Sequence, residues 1–256
     1  MDESGPLIAH LENAPLQTDV KSWDRILAND PIFRQAEDLR AQYRLEANCV
    51  KNLCRLATGY QGMPVVLMQN PCNSHTKDFD EMFTQDCALS WLRNAFDEIG
   101  FDLEHDIPLW DICPLFSDEW MQNKAQSGQF AEVQQAIFQA YELTMRYLEA
   151  LQPPAVFVMQ CATNRGAAMN HPFLGSVNHP LAQALSSSMK EAAQGRCRIV
   201  RVLQHQVYMI PGFHPSRITR ETDPSQRRIL ATTLKRNLSD VYLPYAQQIN
   251  GLVSKT

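Results

Sequence analysis

No apolar run in the 256-residue chain approaches the ~20 residues that span a bilayer. Its first residues, MDESGPLIAHLENAP, are acidic and lack the apolar core of a secretory leader. The expectation is a protein away from membranes and inside the cell, nuclear in a eukaryote or cytoplasmic in a bacterium. Glycine is scarce, at 10 residues, which excludes a collagen-like chain. There is no glycine-rich phosphate loop, no Gly-x-Ser-x-Gly elbow and no His-x-x-x-His pair. Phosphate cradles, hydrolase nucleophile elbows and helical zinc sites therefore have no support. Cysteine is present seven times, but the count is odd and no Cys-x-x-Cys occurs. A disulfide framework and a thiolate metal site are both disfavoured, and the cysteines read as reduced, mostly buried thiols. His105, Asp106 and Asp111 are the nearest approach to a metal set, and nothing in their spacing fixes a geometry. No metal or organic cofactor is expected.

What is there is ordinary for a folded protein: 45% hydrophobic and 20% charged residues. Disordered chains lack that apolar content. The net charge of −5 argues weakly against nucleic acid, but the average hides an asymmetry. Between Lys190 and Arg236 ten basic residues face three acids, a local net of +7 that leaves −12 on the rest of the chain. Such a segment marks either a polyanion-binding face or a solvated surface balanced by acidic neighbours.

Apolar runs and their punctuation predict alternating elements. Residues 1–20 read as a loose or short-helical lead-in. Asp30-Pro31 is a helix start, an N-cap followed by Pro at the first turn, with the helix running to about Ala57. Strands are expected at Pro64–Met68, Ile107–Ile112, Ala155–Met159, Ile199–Leu203 and Val207–Ile210. Helices are expected at Thr84–Ile99, Gln129–Leu151, Leu181–Ala193 and Pro224–Gln248, the last with Pro244 as the place for a bend. Strands alternating with helices of ten or more residues predict an α/β fold with a parallel sheet covered on both faces. There is no repeat or Gly/Ser linker, so one domain is the simplest reading, with residues 1–60 as a helical N-terminal extension packed on it.

Ligands of such sheets sit at the C-terminal ends of the strands, which directs attention to the loops there. Gln69-Asn70-Pro71 follows the first strand. Pro71 pushes Asn70 into an extended conformation, where it either orients a water or sugar oxygen or merely makes a turn. Asp111-Ile112-Cys113-Pro114-Leu115 ends the second strand, with an acid that either reads a polar ligand edge or caps a helix. Gly212-Phe213-His214-Pro215-Ser216-Arg217 follows the last and places an imidazole and a hydroxyl on a rigid bend, where the His is either functional or structural. A Cys113–His214 pairing is also open at this level.

Taken in order, these segments resemble the motifs of the uracil-DNA glycosylase superfamily. Met68-Gln69-Asn70-Pro71-Cys72 is similar to its first motif, and Phe83 stands thirteen positions after Asn70, where the family has a Phe. Trp110-Asp111-Ile112-Cys113-Pro114-Leu115 resembles the second-strand segment of the single-strand-selective monofunctional branch. His214-Pro215-Ser216-Arg217-Ile218 resembles its last motif. The resemblance spans roughly residues 60–220. It implies a three-layer αβα sandwich with a short, mainly parallel sheet. It also implies a DNA N-glycosylase that flips a uracil-like or modified base out of single- or double-stranded DNA and excises it, as in base excision repair. Asn70 would position the attacking water and His214 would stabilise the departing base. Gln69, Cys72, Phe83 and Asp111 would line the base slot, with Phe83 stacking on the base. Ser216 would hold a phosphate, Arg217 or Ile218 would wedge into the gap, and Arg220 would join the DNA-binding rim.

The chain departs from the family at four places. Met68 occupies a usual Gly, Cys72 a Tyr or Gly, Gln160 and Cys161 the Gly that ends the third strand, and Asp111 the base-reading Asn. An ionised Asp offers acceptors only and repels a departing anion. Two like charges roughly 4 Å apart repel by about 4 kcal/mol at an effective dielectric of about 20, about a thousandfold in rate. A buried, protonated Asp111 would restore a donor, and a base bearing an amino group at that edge would accept the ionised form. The alternative is a catalytically inactive protein of the same fold that binds DNA or a protein partner. A third reading is an unrelated α/β enzyme of small molecules.

Overall fold

A computed structural model describes residues 23–83, 87–159, 171–186 and 189–253. The strands are β1 (Arg25–Ile26), β2 (Gly59–Tyr60), β3 (Val65–Met68), β4 (Leu109–Asp111), β5 (Ala155–Val158), β6 (Arg198–Val202) and β7 (His205–Pro211). The helices are α1 (Arg34–Tyr43), α2 (Ala47–Leu56), α3 (Phe79–Met82), α4 (Ala88–Asp97), α5 (Asp118–Gln126), α6 (Phe130–Leu151), α7 (Pro180–Leu185), α8 (Met189–Gln194), α9 (Ser216–Thr219) and α10 (Pro224–Val253).

The central sheet has the order β4-β3-β5-β7-β6. Its first four strands run parallel, and β6 joins as an antiparallel edge through the hairpin with β7. Side chains alternate across a strand, and both sides of this sheet are covered. Val65 and Leu67 enter a core with α1, α2, α6 and α7. Val66 and Met68 enter the opposite core with α4 and α10. Continuous burial on both faces is why the parallel strands read as unbroken apolar runs. The architecture is the expected α/β one, three layers around a mainly parallel sheet.

The expected elements differ from the observed ones where local chemistry overrides periodicity. The helix from Asp30 to Ala57 is two helices, divided at Arg44, whose φ of 54° is left-handed. Asp30 does cap its first turn, its carboxylate accepting from Ile32 N at 3.1 Å. The helix from Leu181 to Ala193 is α7 and α8, with Ser186 extended between them. The helix read from Thr84 begins at Ala88; residues 84–86 lie outside the described residues, as do residues 1–20, Gln160 and Cys161. Helix α5 is an addition to the expected elements: Met121 is its only buried residue, which leaves no apolar stripe in the sequence. Pro244 lies inside α10 without ending it. Of the six described cysteines Cys49, Cys54 and Cys113 are buried, Cys87 and Cys197 half-buried and Cys72 exposed, so burial is less general than expected. No helix among the described residues is long and apolar enough to cross a membrane.

Two contacts carry the fold into the strand-end loops. Trp110, fully buried on β4, stacks on Tyr147 of α6 with ring centroids 3.9 Å apart. Its indole donates to Thr144 Oγ1 at 2.8 Å, and that hydroxyl donates onward to the carbonyls of Asp111 and Ile112. The long helix thereby holds the end of β4. After β7, Gly212 N donates to Val158 O at 2.8 Å, and a Cβ at Gly212 would stand 2.5 Å from Phe157 Cε1. A side chain there displaces either the last loop or a core ring. Gly212→Ala is expected to lose about 1–3 kcal/mol, the cost of overpacking, and a lower urea midpoint with an unchanged slope would show it.

Candidate functional site

The C-terminal ends of β3, β4 and β7 open on one cavity of about 600 Å³. Gln69, Asn70, Pro71 and Cys72 from the first loop, Asp111 from the end of β4, and His214, Ser216, Arg217 and Arg220 from the last loop all line it. Its apolar wall includes Leu56, Met68, Met82, Ala88, Leu89 and Leu109. The first two loops are tied by main-chain bonds, Ile112 N to Met68 O at 2.9 Å and Cys113 N to Gln69 O at 3.0 Å. Buried His75 braces them further, its ring nitrogens 2.8 Å from Cys72 O and 3.1 Å from Leu115 O. Leu115 has a φ of 72°, costly for a residue with a Cβ. The chain is held there by its surroundings.

Asp111 is a buried carboxyl facing the cavity, 9% exposed. No described residue hydrogen-bonds its side chain. Burial alone pushes its pKa up to about 7. Around neutral pH it therefore exists substantially as the acid, with an O–H donor beside a carbonyl acceptor, as an Asn side chain sets an N–H donor beside its carbonyl.

His214 sits at the start of the last loop, where burial and then the charge of Arg220 push its pKa down to about 4. The ring is neutral near pH 7. Its tautomer follows from its partners. Ser216 N, a donor only, lies 3.1 Å from Nδ1, so Nδ1 accepts and Nε2 carries the proton. Ser216 Oγ, 2.8 Å from the same nitrogen, donates to it as well. Nε2–H has no partner among the described residues. The loop thus holds a neutral imidazole donor, with no charge to be desolvated, at the cavity.

Asn70 is held by a residue that the sequence reading did not single out. Its Nδ2 donates to Asp118 Oδ1 at 2.8 Å, and His171 Nε2 donates to the same oxygen at 2.8 Å. His171 Nδ1 accepts from Phe173 N and Leu174 N, which fixes that tautomer too. Asp118 and His171 both line the cavity. Asp118 was hidden behind a structural signature: Ser117 as N-cap followed by two acids in the first helical turn. His171 had no signal beyond a His-Pro pair, of which the chain holds three.

Three implied roles do not survive the geometry. Phe83 does not line the cavity. Its ring packs on Phe79 with centroids 5.2 Å apart, and the Arg93 guanidinium covers it 3.4 Å from the centroid. α3 ends at Met82, which faces the cavity in its place. Ile218 is not a wedge: it is 4% exposed, packed in the core that α10 builds. Arg217, its neighbour, is exposed on the cavity rim. Ser216 has its hydroxyl hydrogen directed at His214, which makes it a tautomer-setting group rather than a free phosphate donor. The basic segment also divides. Arg201 bonds Leu203 O and Gln204 in the β6–β7 hairpin, at the opposite end of β7 from His214. Arg198 is held by Glu191, Ala184 O and Ser186 O. Arg227 turns to Glu221 O. Only Arg217 and Arg220 of the ten reach the cavity among the described residues.

No group of three His, Cys, Asp or Glu among the described residues is placed to hold a metal ion. Cys113 is buried, and burial pushes its thiol well above its ordinary pKa, so it is an inert thiol rather than a partner activated by His214. What the cavity offers is a neutral Nε2–H donor, a carboxylic acid able both to donate and to accept, an oriented amide backed by a carboxylate, and two exposed guanidinium groups at the mouth. No protein-family model and no curated protein matches the chain.

Proposed function

We propose that the protein is a hydrolase of N-glycosidic bonds in DNA, acting on a uracil-like or otherwise modified base as in base excision repair. The observation that carries this reading is the meeting of Asn70, Asp111 and His214, from three separate strand ends, on one cavity with Arg217 and Arg220 at its rim. The order of the motifs resembling the uracil-DNA glycosylase superfamily supports it independently. The slot takes in a flipped nucleotide, at a few kcal/mol of unstacking. Protonated Asp111 donates to one atom of the base edge and accepts from its neighbour. His214 Nε2–H donates to the base carbonyl on which negative charge grows as the bond breaks, stabilisation realised only as the transition state forms. Asn70 holds a water, whose oxygen joins C1′ while the C1′–N pair leaves with the base. The base takes up one proton and the water loses one, which gives an abasic sugar and a neutral base. Met68 and Met82 supply apolar surface of the slot, in place of the aromatic ring that Phe83 does not bring. The reading implies action inside the cell, in a nucleus or a bacterial cytoplasm.

The test is an incision assay on single- and double-stranded oligonucleotides carrying uracil, hypoxanthine or other altered bases. Abasic product from at least one supports the reading. DNA binding with no product from any would favour a non-catalytic DNA-binding protein, and no DNA binding even at low salt would remove DNA from the account. The rim makes its own prediction. Replacing Arg217 and Arg220 by Ala should weaken DNA binding irrespective of the base and reduce the slope of log K against log salt by about 1 per residue. An unchanged slope would take both off the phosphate path.

A further inference from the structure

Asp118 Oδ1 is shared by the Asn70 amide and the His171 imidazole, 2.8 Å from each. An ionised carboxylate accepts and cannot donate, so the bond to Asp118 settles which way the Asn70 amide faces. Its nitrogen is turned to Asp118 and its carbonyl oxygen away. His171 is 13% exposed and locked by two main-chain donors. It holds Asp118 by the same oxygen that accepts from Asn70.

Asp118 is not needed where it stands for the helix. Ser117 already caps α5, its hydroxyl accepting from Trp120 N at 3.3 Å. Asp118's carboxyl instead crosses to the β3 loop. The hydrogen bond from His171, above all, holds its pKa below the usual carboxylate range, with Asn70 and the charge of Arg220 adding to this. A carboxyl so held is a permanent negative charge and a poor proton acceptor. Asn70 has no charge of its own, while the sugar becomes cationic as its bond to the base breaks.

We infer that Asp118, clamped between His171 and Asn70, is the positioning carboxylate of the site: it presents the Asn70 carbonyl to the attacking water and places a fixed negative charge beside the cationic sugar. The inference rests on the glycosidic-bond reading above and extends it to a residue outside the motifs that suggested it. His171 is the brace that keeps this charge in place.

The experiment measures single-turnover excision of whichever base the wild-type protein releases, together with DNA affinity. Asp118→Asn keeps the shape and an acceptor for Asn70 but removes the charge. It is expected to slow excision by tenfold or more, with the dissociation constant for the oligonucleotide within about threefold of wild type. Adding Asn70→Asp to Asp118→Asn moves the carboxylate by one hydrogen bond and should recover at least fivefold of the lost rate. A purely structural Asp118 would give no such recovery. Loss of less than tenfold in Asp118→Asn, or a double variant no faster than it, overturns the inference while leaving an active wild type and its proposed function intact. A wild-type protein that releases no base overturns both. Circular dichroism melts of each variant separate loss of rate from loss of fold.

Discussion

His214→Ala should lower the single-turnover excision rate by about 10²–10³-fold, the loss typical of one donor aimed at developing anionic charge, and leave DNA affinity nearly unchanged. The split follows from what the ring does. Its Nε2–H meets a base oxygen whose charge appears only as the bond breaks, so little of the interaction is present in the bound substrate. It also follows from the ring's protonation. With a pKa near 4 the imidazole is neutral across the working range, and the rate should show no titration between about pH 5 and 8 assignable to His214. A His214→Gln variant retains a donor on a flexible chain and should fall between wild type and Ala. An unchanged rate in His214→Ala would remove the imidazole from the mechanism.

Asp111→Asn should act through pH. The wild-type carboxyl, with a pKa of about 7, is a donor to the base edge below that value and a repelling anion above it. Release of a uracil-like base should therefore be level below pH 7 and fall about tenfold per unit above it, close to 100-fold by pH 9. Asp111→Asn, which cannot ionise, should remain level and exceed wild type on the alkaline side. Superimposable profiles for the two proteins would show that Asp111 does not read the base. Stability moves with the same group. Below the ordinary carboxylate pKa, Asp111 is protonated in both folded and unfolded chains and costs nothing. As pH rises toward 7 only the unfolded chain ionises, so stability is lost over that interval and the loss is complete above about 7. Asp111→Asn removes the cost, with an upper bound of about 4 kcal/mol for a shift of this size. Urea midpoints of the two proteins should converge near pH 4 and separate at pH 8.

The strands and long helices were legible because they are made by local pattern. Val65–Met68 and Ala155–Val158 are apolar at every position, and a four-residue apolar run between punctuating prolines and polar loops has few other uses in a chain of this composition. Phe130–Leu151 carries its stripe for twenty-two residues, long enough for period to speak clearly. The breaks were not legible. Arg44 takes a left-handed conformation with nothing in its identity to announce it, and α5 is polar on nearly every side. The site followed the same division. Asn70, Asp111 and His214 stood out because each sits beside Pro or at a strand end, where backbone geometry is restricted. Asp118 and His171 did not, because an acid after an N-cap and a His before a Pro each have an ordinary local explanation.

Local residue pattern alone thus determined the α/β alternation, the parallel sheet buried on both faces, and the three loops from which the site is built, since each is a matter of neighbours along the chain. Tertiary structure alone decided that Phe83 lies under Arg93, that Ile218 belongs to the core, that among the described residues only Arg217 and Arg220 of the basic segment reach the cavity, and that Asp118 joins His171 to Asn70. It also decided the chemistry of Asp111 and His214. The protonation of a carboxyl or an imidazole depends on how much water and charge surround it, and what surrounds these two comes from parts of the chain far away in sequence.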